Sequence, residues 1–183
     1  LDFDSDGKID TPTVRTNADG SFSLSSSNST FTIIAVTDDK TIDKSSDTIL
    51  SGIKLKAPSS ANVVTPTTTL IEDSRLTKEQ VTKVLSLPEH IDPFSFNPYA
   101  EGVAEHAALA FEKTGQQLIS IINAFASAAE GSGVNTDDAY ELALASIVNI
   151  IKQKARKLSD AGAPASETTL GLANTIDLNL VKK

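Results

Sequence analysis

The sequence predicts an α+β fold, with a β domain over residues 1–65, a helical domain over 66–160, and a linker and C-terminal strand over 161–183. Three observations carry this expectation. Ser, Thr, Val and Ile dominate the first third, where turn residues recur at short intervals. Beyond residue 77, apolar residues return at helical spacing. The final residues alternate polar with apolar, as a strand does.

The chain opens on Asp2-Phe3-Asp4-Ser5-Asp6-Gly7-Lys8-Ile9-Asp10, which sets four carboxylates at alternating positions around a glycine. This is the ligand spacing of an EF-hand-like calcium loop: alternate residues turn their oxygens toward one centre and Gly7 permits the sharp turn. The candidate ligands are Asp2, Asp4, Asp6 and Asp10, joined by the carbonyl of Lys8 while its ammonium points outward. An all-oxygen set suits Ca2+ and not zinc. Repulsion among the carboxylates predicts a loop that frays without a cation. The alternative is a solvated acidic turn. Thr13 stands at the twelfth position, where a bidentate Glu or Asp normally sits, so helix–loop–helix switching is not expected.

Within the β domain, Asn17-Ala18-Asp19-Gly20 reads as a turn, and Ser21-Phe22-Ser23-Leu24 alternates so that Phe22 and Leu24 share a face. Thr30 to Val36 is the strongest strand signal because it is rich in β-branched residues. Weaker strands are expected at Ile49–Leu55 and Ala61–Val64. Asp38, Asp39, Asp43 and Asp47 lie between strands; their irregular spacing favours a solvated loop over a second calcium site.

At Thr65-Pro66 the chain turns helical, with Thr as cap and Pro opening a short helix through Glu72. Thr77-Lys78-Glu79-Gln80 has the form of a capping box, followed by Val81, Val84 and Leu85 on one face and a stop at Pro88. Residues 88–98 form a proline-rich connector that buries Phe94 and Phe96. A long helix is predicted over Ala100–Ala129 with the stripe Phe111, Leu118, Ile122, Phe125. Gly131-Ser132-Gly133 breaks it, and Thr136 caps a second helix with the stripe Leu142, Ile147, Ile150, Ile151, Leu158. The short turn makes the pair an αα-hairpin. After the linker from Ala161 to Ser166, Glu167–Ala173 is expected to form a helical turn or two. Ile176, Leu178 and Leu180 then line one face of a terminal strand, which must pair with a sheet edge to be stable.

Composition narrows the function. Sixteen Lys and Arg against 24 Asp and Glu leave a net charge of −8, so no nucleic acid or anionic membrane partner is expected. No stretch approaches the roughly 20 apolar residues of a membrane span, and no membrane insertion is expected. Cys is absent, which removes disulfide and thiol chemistry. Met is absent even at position 1, so the chain reads as a mature product after signal removal or as an excised fragment. The expected location is extracellular, at the cell surface, where millimolar calcium saturates even weak loops.

Several segments together resemble a module of large bacterial surface and adhesin-type proteins: Asp2 to Asp10, the turn Asn17 to Phe22, Val63-Val64-Thr65-Pro66-Thr67-Thr68-Thr69-Leu70, Leu85-Ser86-Leu87-Pro88, and Ile91-Asp92-Pro93-Phe94. In that group a carboxypeptidase-regulatory-like, prealbumin-type β-sandwich runs directly into a small helical domain. The resemblance spans roughly residues 2 to 130. It implies an Ig/prealbumin-like β-sandwich whose acidic loop binds calcium through Asp2, Asp4, Asp6 and Asp10, and it implies no catalytic residue. Similar modules begin with a strand before the acidic loop, whereas here only Leu1 precedes Asp2. A sandwich lacking that strand exposes an edge and an apolar slot, which Ile176, Leu178 and Leu180 can fill within the chain or in a neighbour. Donation to a neighbour gives head-to-tail contacts that propagate as a filament.

Enzymatic readings find little support. His90 and His106 are the only histidines, one in the connector and one in an alanine-rich helix, and read as surface or packing residues. No serine sits in a nucleophile elbow, and Asp137-Asp138 at a helix start favours the macrodipole. The expected function is a non-catalytic structural or assembly subunit whose partners are copies of itself or other surface proteins. The alternative is a calcium-dependent, lectin-like adhesin that binds glycan, although the chain offers no Trp and only Tyr99 and Tyr140.

Overall fold

The computed structural model describes residues 1–44, 46–160 and 162–172. Its elements run β1 (Thr32–Val36), β2 (Ile42–Asp43), β3 (Thr48–Ile49), β4 (Lys54–Pro58), α1 (Pro66–Ser74), α2 (Lys78–Val84), α3 (Glu105–Gly131), α4 (Thr136–Lys157) and α5 (Ala165–Thr168). Helix is the main regular structure. The predicted Ig/prealbumin-like β-sandwich is not there: among the described residues, the strands form two separate two-stranded antiparallel sheets, β1–β4 and β2–β3.

Two physical reasons account for this correction. Residues 11–31 have strand-like composition but form no ladder, and their polar residues satisfy the backbone locally. Gly20 N donates to Asn17 O at 2.9 Å, Ser21 N to Asp19 Oδ1 at 2.9 Å, and Asn28 N to Ser26 Oγ at 3.0 Å. Phe22 and Leu24 rest half-buried on a small cluster of Leu1, Ile33, Ala57 and Ala61. The second reason is that a helix occupies the edge where a third strand would pair. Lys56 N donates to Thr69 Oγ1 at 2.9 Å, and Thr68 Oγ1 donates to Lys56 O at 2.9 Å, so α1 seals the outer edge of β4.

Helix α1 can do this because its start is tightly defined. Thr65 is the N-cap and accepts from Thr68 N, Thr68 reciprocates toward Thr65 N, and Pro66 opens the first turn. The predicted strand at Ala61–Val64 is instead the irregular approach to this cap. Below the same edge, Lys56 Nζ pairs with Asp73 Oδ1 at 3.1 Å. Burial pushes the Asp73 carboxyl above its usual range, although the Lys56 ammonium opposes the shift.

The other edge of the β1–β4 sheet is different. Thr32 and Asp2 exchange two backbone hydrogen bonds at 2.9 and 2.8 Å, but Ile34 and Val36, which face the same way, carry no backbone partner among the described residues.

Helices α3 and α4 form the hairpin, joined by a short turn in which Gly133 takes φ +94°, a conformation that side chains resist. The α3 face buried against the core is Ala107, Phe111, Thr114, Leu118, Ile122 and Ala126. On α4 it is Ala139, Tyr140, Ala143, Leu144, Ile147, Val148, Ile151 and Ala155. The N-cap is Asn135, not Thr136. Phe125 and Leu142, both placed in the predicted stripes, are 44% and 52% exposed. Helix α4 is central, packing against α1, α2, α3 and α5. Among the described residues no helix is long and apolar enough to cross a membrane. The predicted terminal strand with Ile176, Leu178 and Leu180 lies outside the described residues.

Tyr140 joins the hairpin to the sheet, donating its hydroxyl to Lys54 O at 2.9 Å. Burial pushes its phenol from the ordinary 10.0 up to about 12. Above pH 10 the unfolded phenol ionises while the folded one keeps its proton, so the folded state binds more protons and stability declines with rising pH. Two units correspond to about 3 kcal/mol by pH 12. Denaturant midpoints measured from pH 9.5 to 11.5 are expected to fall more steeply for the natural chain than for Tyr140→Phe.

Candidate metal centre

The acidic loop is tied down at both ends. Leu1 is buried in the small cluster beside β1, Asp2 is held to Thr32 by the two backbone bonds, and Asp10 N donates to Leu1 O at 2.8 Å. Between these anchors the chain must reverse within a few residues, and it does so through positive φ at Ser5 and Gly7, +63° and +83°.

That reversal wraps backbone amides around the carboxylates. Asp2 is only 2% exposed; its Oδ1 accepts from Ser5 N at 2.7 Å and its Oδ2 from Gly7 N at 3.0 Å. Asp10 Oδ2 accepts from Phe3 N at 2.8 Å, and Asp4 Oδ1 from Asp6 N at 3.1 Å. These bonds satisfy part of each carboxylate and leave further lone pairs free.

Three of the four predicted carboxylates converge. One oxygen each from Asp2, Asp4 and Asp10 lies within 4.8 Å of the others. Calcium–oxygen distances of about 2.3–2.6 Å let a single ion touch oxygens separated by that much, whereas zinc prefers nitrogen and sulfur. Asp4 and Asp10 are exposed, so water has access to the remaining coordination positions. The group offers carboxylate oxygen only, the donor type that hard divalent cations take.

Asp6 is not in the group. Its Oδ1 accepts from Lys8 N at 2.8 Å and its Oδ2 pairs with Lys8 Nζ at 3.0 Å. The Lys8 amide and then its ammonium hold the exposed Asp6 carboxyl below the usual range. Alternation in the sequence treats Asp6 and Asp10 alike; the local Lys8 pairing and the anchoring of Asp10 to Leu1 and Phe3 separate them. The ammonium of Lys8 is exposed, as expected for an outward side chain. A cation missed by the sequence reading also approaches: Lys54 Nζ lies 3.5 Å from Gly7 O.

The second acidic stretch behaves otherwise. Asp38 pairs with Arg15 at 2.7 Å and accepts from Lys40 N and Thr41 Oγ1. Asp43 accepts from Ser46 Oγ and from Gln116 Nε2, both at 2.7 Å. Asp38, Asp39, Asp43 and Asp47 make no metal-sized group among the described residues.

Comparison with family models, with curated proteins and with solved structures finds no match for this chain. The likeness to bacterial surface modules thus rests on the quoted motifs alone.

Proposed function

We propose that this chain is a non-catalytic extracellular structural or assembly module whose N-terminal loop binds calcium. The observation that carries the reading is that one carboxylate oxygen each of Asp2, Asp4 and Asp10 lies within 4.8 Å of the others, beside the backbone pairing of Asp2 with Thr32. An ion there cross-links the two ends of the loop and fastens it to β1, so calcium acts mechanically, by stabilising the state it binds.

Assembly with copies of itself, or with other surface proteins, is the second part of the proposal. The apolar slot of an incomplete sandwich is no longer its basis, because that sandwich is absent. What supports pairing is the stretch of β1 at Ile34 and Val36, which has no backbone partner among the described residues and lies next to the segment occupied by Asp2. The alternating sequence that carries Ile176, Leu178 and Leu180 has the apolar pattern of a donor for such an edge.

The calcium reading is tested by melting. Weak extracellular loops have Kd values of about 0.1–1 mM, so calcium at tenfold over Kd contributes about 1.4 kcal/mol. For a chain of this size that raises Tm by about 3–6 °C. Chelator is expected to remove this increment in the natural chain and in Asp6→Ala, but not in Asp4→Ala, which should lack it from the start. Melting curves that ignore millimolar calcium would reject the site. Deleting residues 175–183 is the companion test for assembly: polymers that persist without them reject strand donation.

A further inference from the structure

The chain's only two histidines stand 16 positions apart, His90 in the connector and His106 in the first turn of α3. The fold brings their ring centres to 6.1 Å, with the planes tilted by 59°. Both side chains are exposed, so ring packing gains little from excluding water.

We infer that His90 and His106 form a two-imidazole site for a divalent transition-metal ion of the zinc type. Imidazole nitrogen is a preferred ligand of zinc, copper and nickel, and a poor one for calcium. With metal–nitrogen bonds of about 2.0–2.1 Å, two imidazoles on one tetrahedral ion place their ring centres about 5 Å apart. The observed separation differs from that by about 1 Å, a change that exposed side chains make by small rotations about χ1 and χ2.

The backbones carrying the two rings are already fixed. Ile91 follows His90, is buried in the main core, and closes a turn through its N–H to Pro88 O at 3.0 Å. Ala107 follows His106 and is buried in the same core. Each imidazole therefore projects from an anchored neighbour, so little ordering entropy is lost when both bind one ion. Two protein ligands are one fewer than an open catalytic zinc site has, so water fills the remaining positions. The bound ion would clamp the connector to the start of α3. The calcium loop, all oxygen, and this pair, all nitrogen, sort cations into different classes.

The test is a Zn2+ titration of the full chain, followed by the imidazole nitrogen resonances and by calorimetry, and repeated in Asp4→Ala to remove the carboxylate group. The expected result is one isotherm at one equivalent, with both imidazoles shifting together. His90→Ala and His106→Ala should each weaken binding at the remaining histidine at least about tenfold, because the second ligand acts at high effective concentration. Circular dichroism checks that both variants fold, as their exposure leads one to expect. Independent titration of the two rings overturns the inference, as does unchanged affinity at the remaining histidine in either variant. So does the absence of any response up to 1 mM Zn2+, the concentration chosen as the limit of about 4 kcal/mol of binding.

Discussion

Replacing Leu118 by alanine is expected to destabilise the protein by about 3–5 kcal/mol, the largest effect of any substitution considered. Leu118 is 0% exposed and sits midway along the α3 stripe of Phe111, Thr114, Ile122 and Ala126. Its removal takes apolar surface from the core and leaves a cavity that two rigid, packed helices can collapse into only partly. Phe125→Ala is the contrasting variant. Its larger side chain is almost half exposed, so truncation should cost under about 1.5 kcal/mol. Chemical denaturation of both variants decides the matter; equal losses would mean that Leu118 does not occupy the α3–α4 interface.

Thr68→Val is expected to cost about 2–3 kcal/mol although it changes the side chain's shape hardly at all. The Thr68 hydroxyl accepts from Thr65 N at 2.8 Å and donates to Lys56 O at 2.9 Å. Valine breaks the capping box and leaves the Thr65 amide without its side-chain acceptor in a half-buried place. Lys56 O keeps only the longer bond from Thr69 Oγ1, at 3.3 Å. Thr68→Ser keeps the hydroxyl and loses one methyl, so it should cost about 1 kcal/mol. If serine proves as damaging as valine, packing and not hydrogen bonding holds α1 to the sheet.

The helices were legible in the sequence because their signals are local. Thr65-Pro66 and Thr77 to Gln80 announce their caps within four residues; the Thr77–Gln80 box forms as read, and Thr65 caps α1 with a box to Thr68 that the sequence reading had not named. The faces of the long helices were read less well, for a reason of size. Searching for bulky residues selects Phe125 and Leu142, which are exposed, and passes over Ala126, Ala139 and Ala143, which are buried in the core.

The sheet was misread because strand pairing is not local. Ser- and Thr-rich residues 11–31 look like strands by composition, but nothing in composition states whether a neighbour exists to pair with. Nor does the Thr67-Thr68-Thr69 run disclose that its hydroxyls will occupy a strand edge; it reads only as a helix start. At the candidate site the carboxylate spacing was visible and the choice among carboxylates was not. Asp6 drops out of the predicted set because Lys8 pairs with it, while Asp10 stays because Phe3 and Leu1 hold it beside Asp2. The proximity of His90 and His106 left no sequence signal at all, since it depends on how the connector folds back over α3.

The β1–β4 sheet is unequal at its two sides. Helix α1 has already claimed the hydrogen-bonding groups of Lys56, while those of Ile34 and Val36 face outward. A ribbon with one closed flank can take on a single visitor and cannot sit in the middle of a widening stack. At Lys56 the threonines of one short helix stand where a further strand would have to pair, so a visitor to this sheet meets, among the described residues, free backbone groups on the β1 side and occupied ones at Lys56.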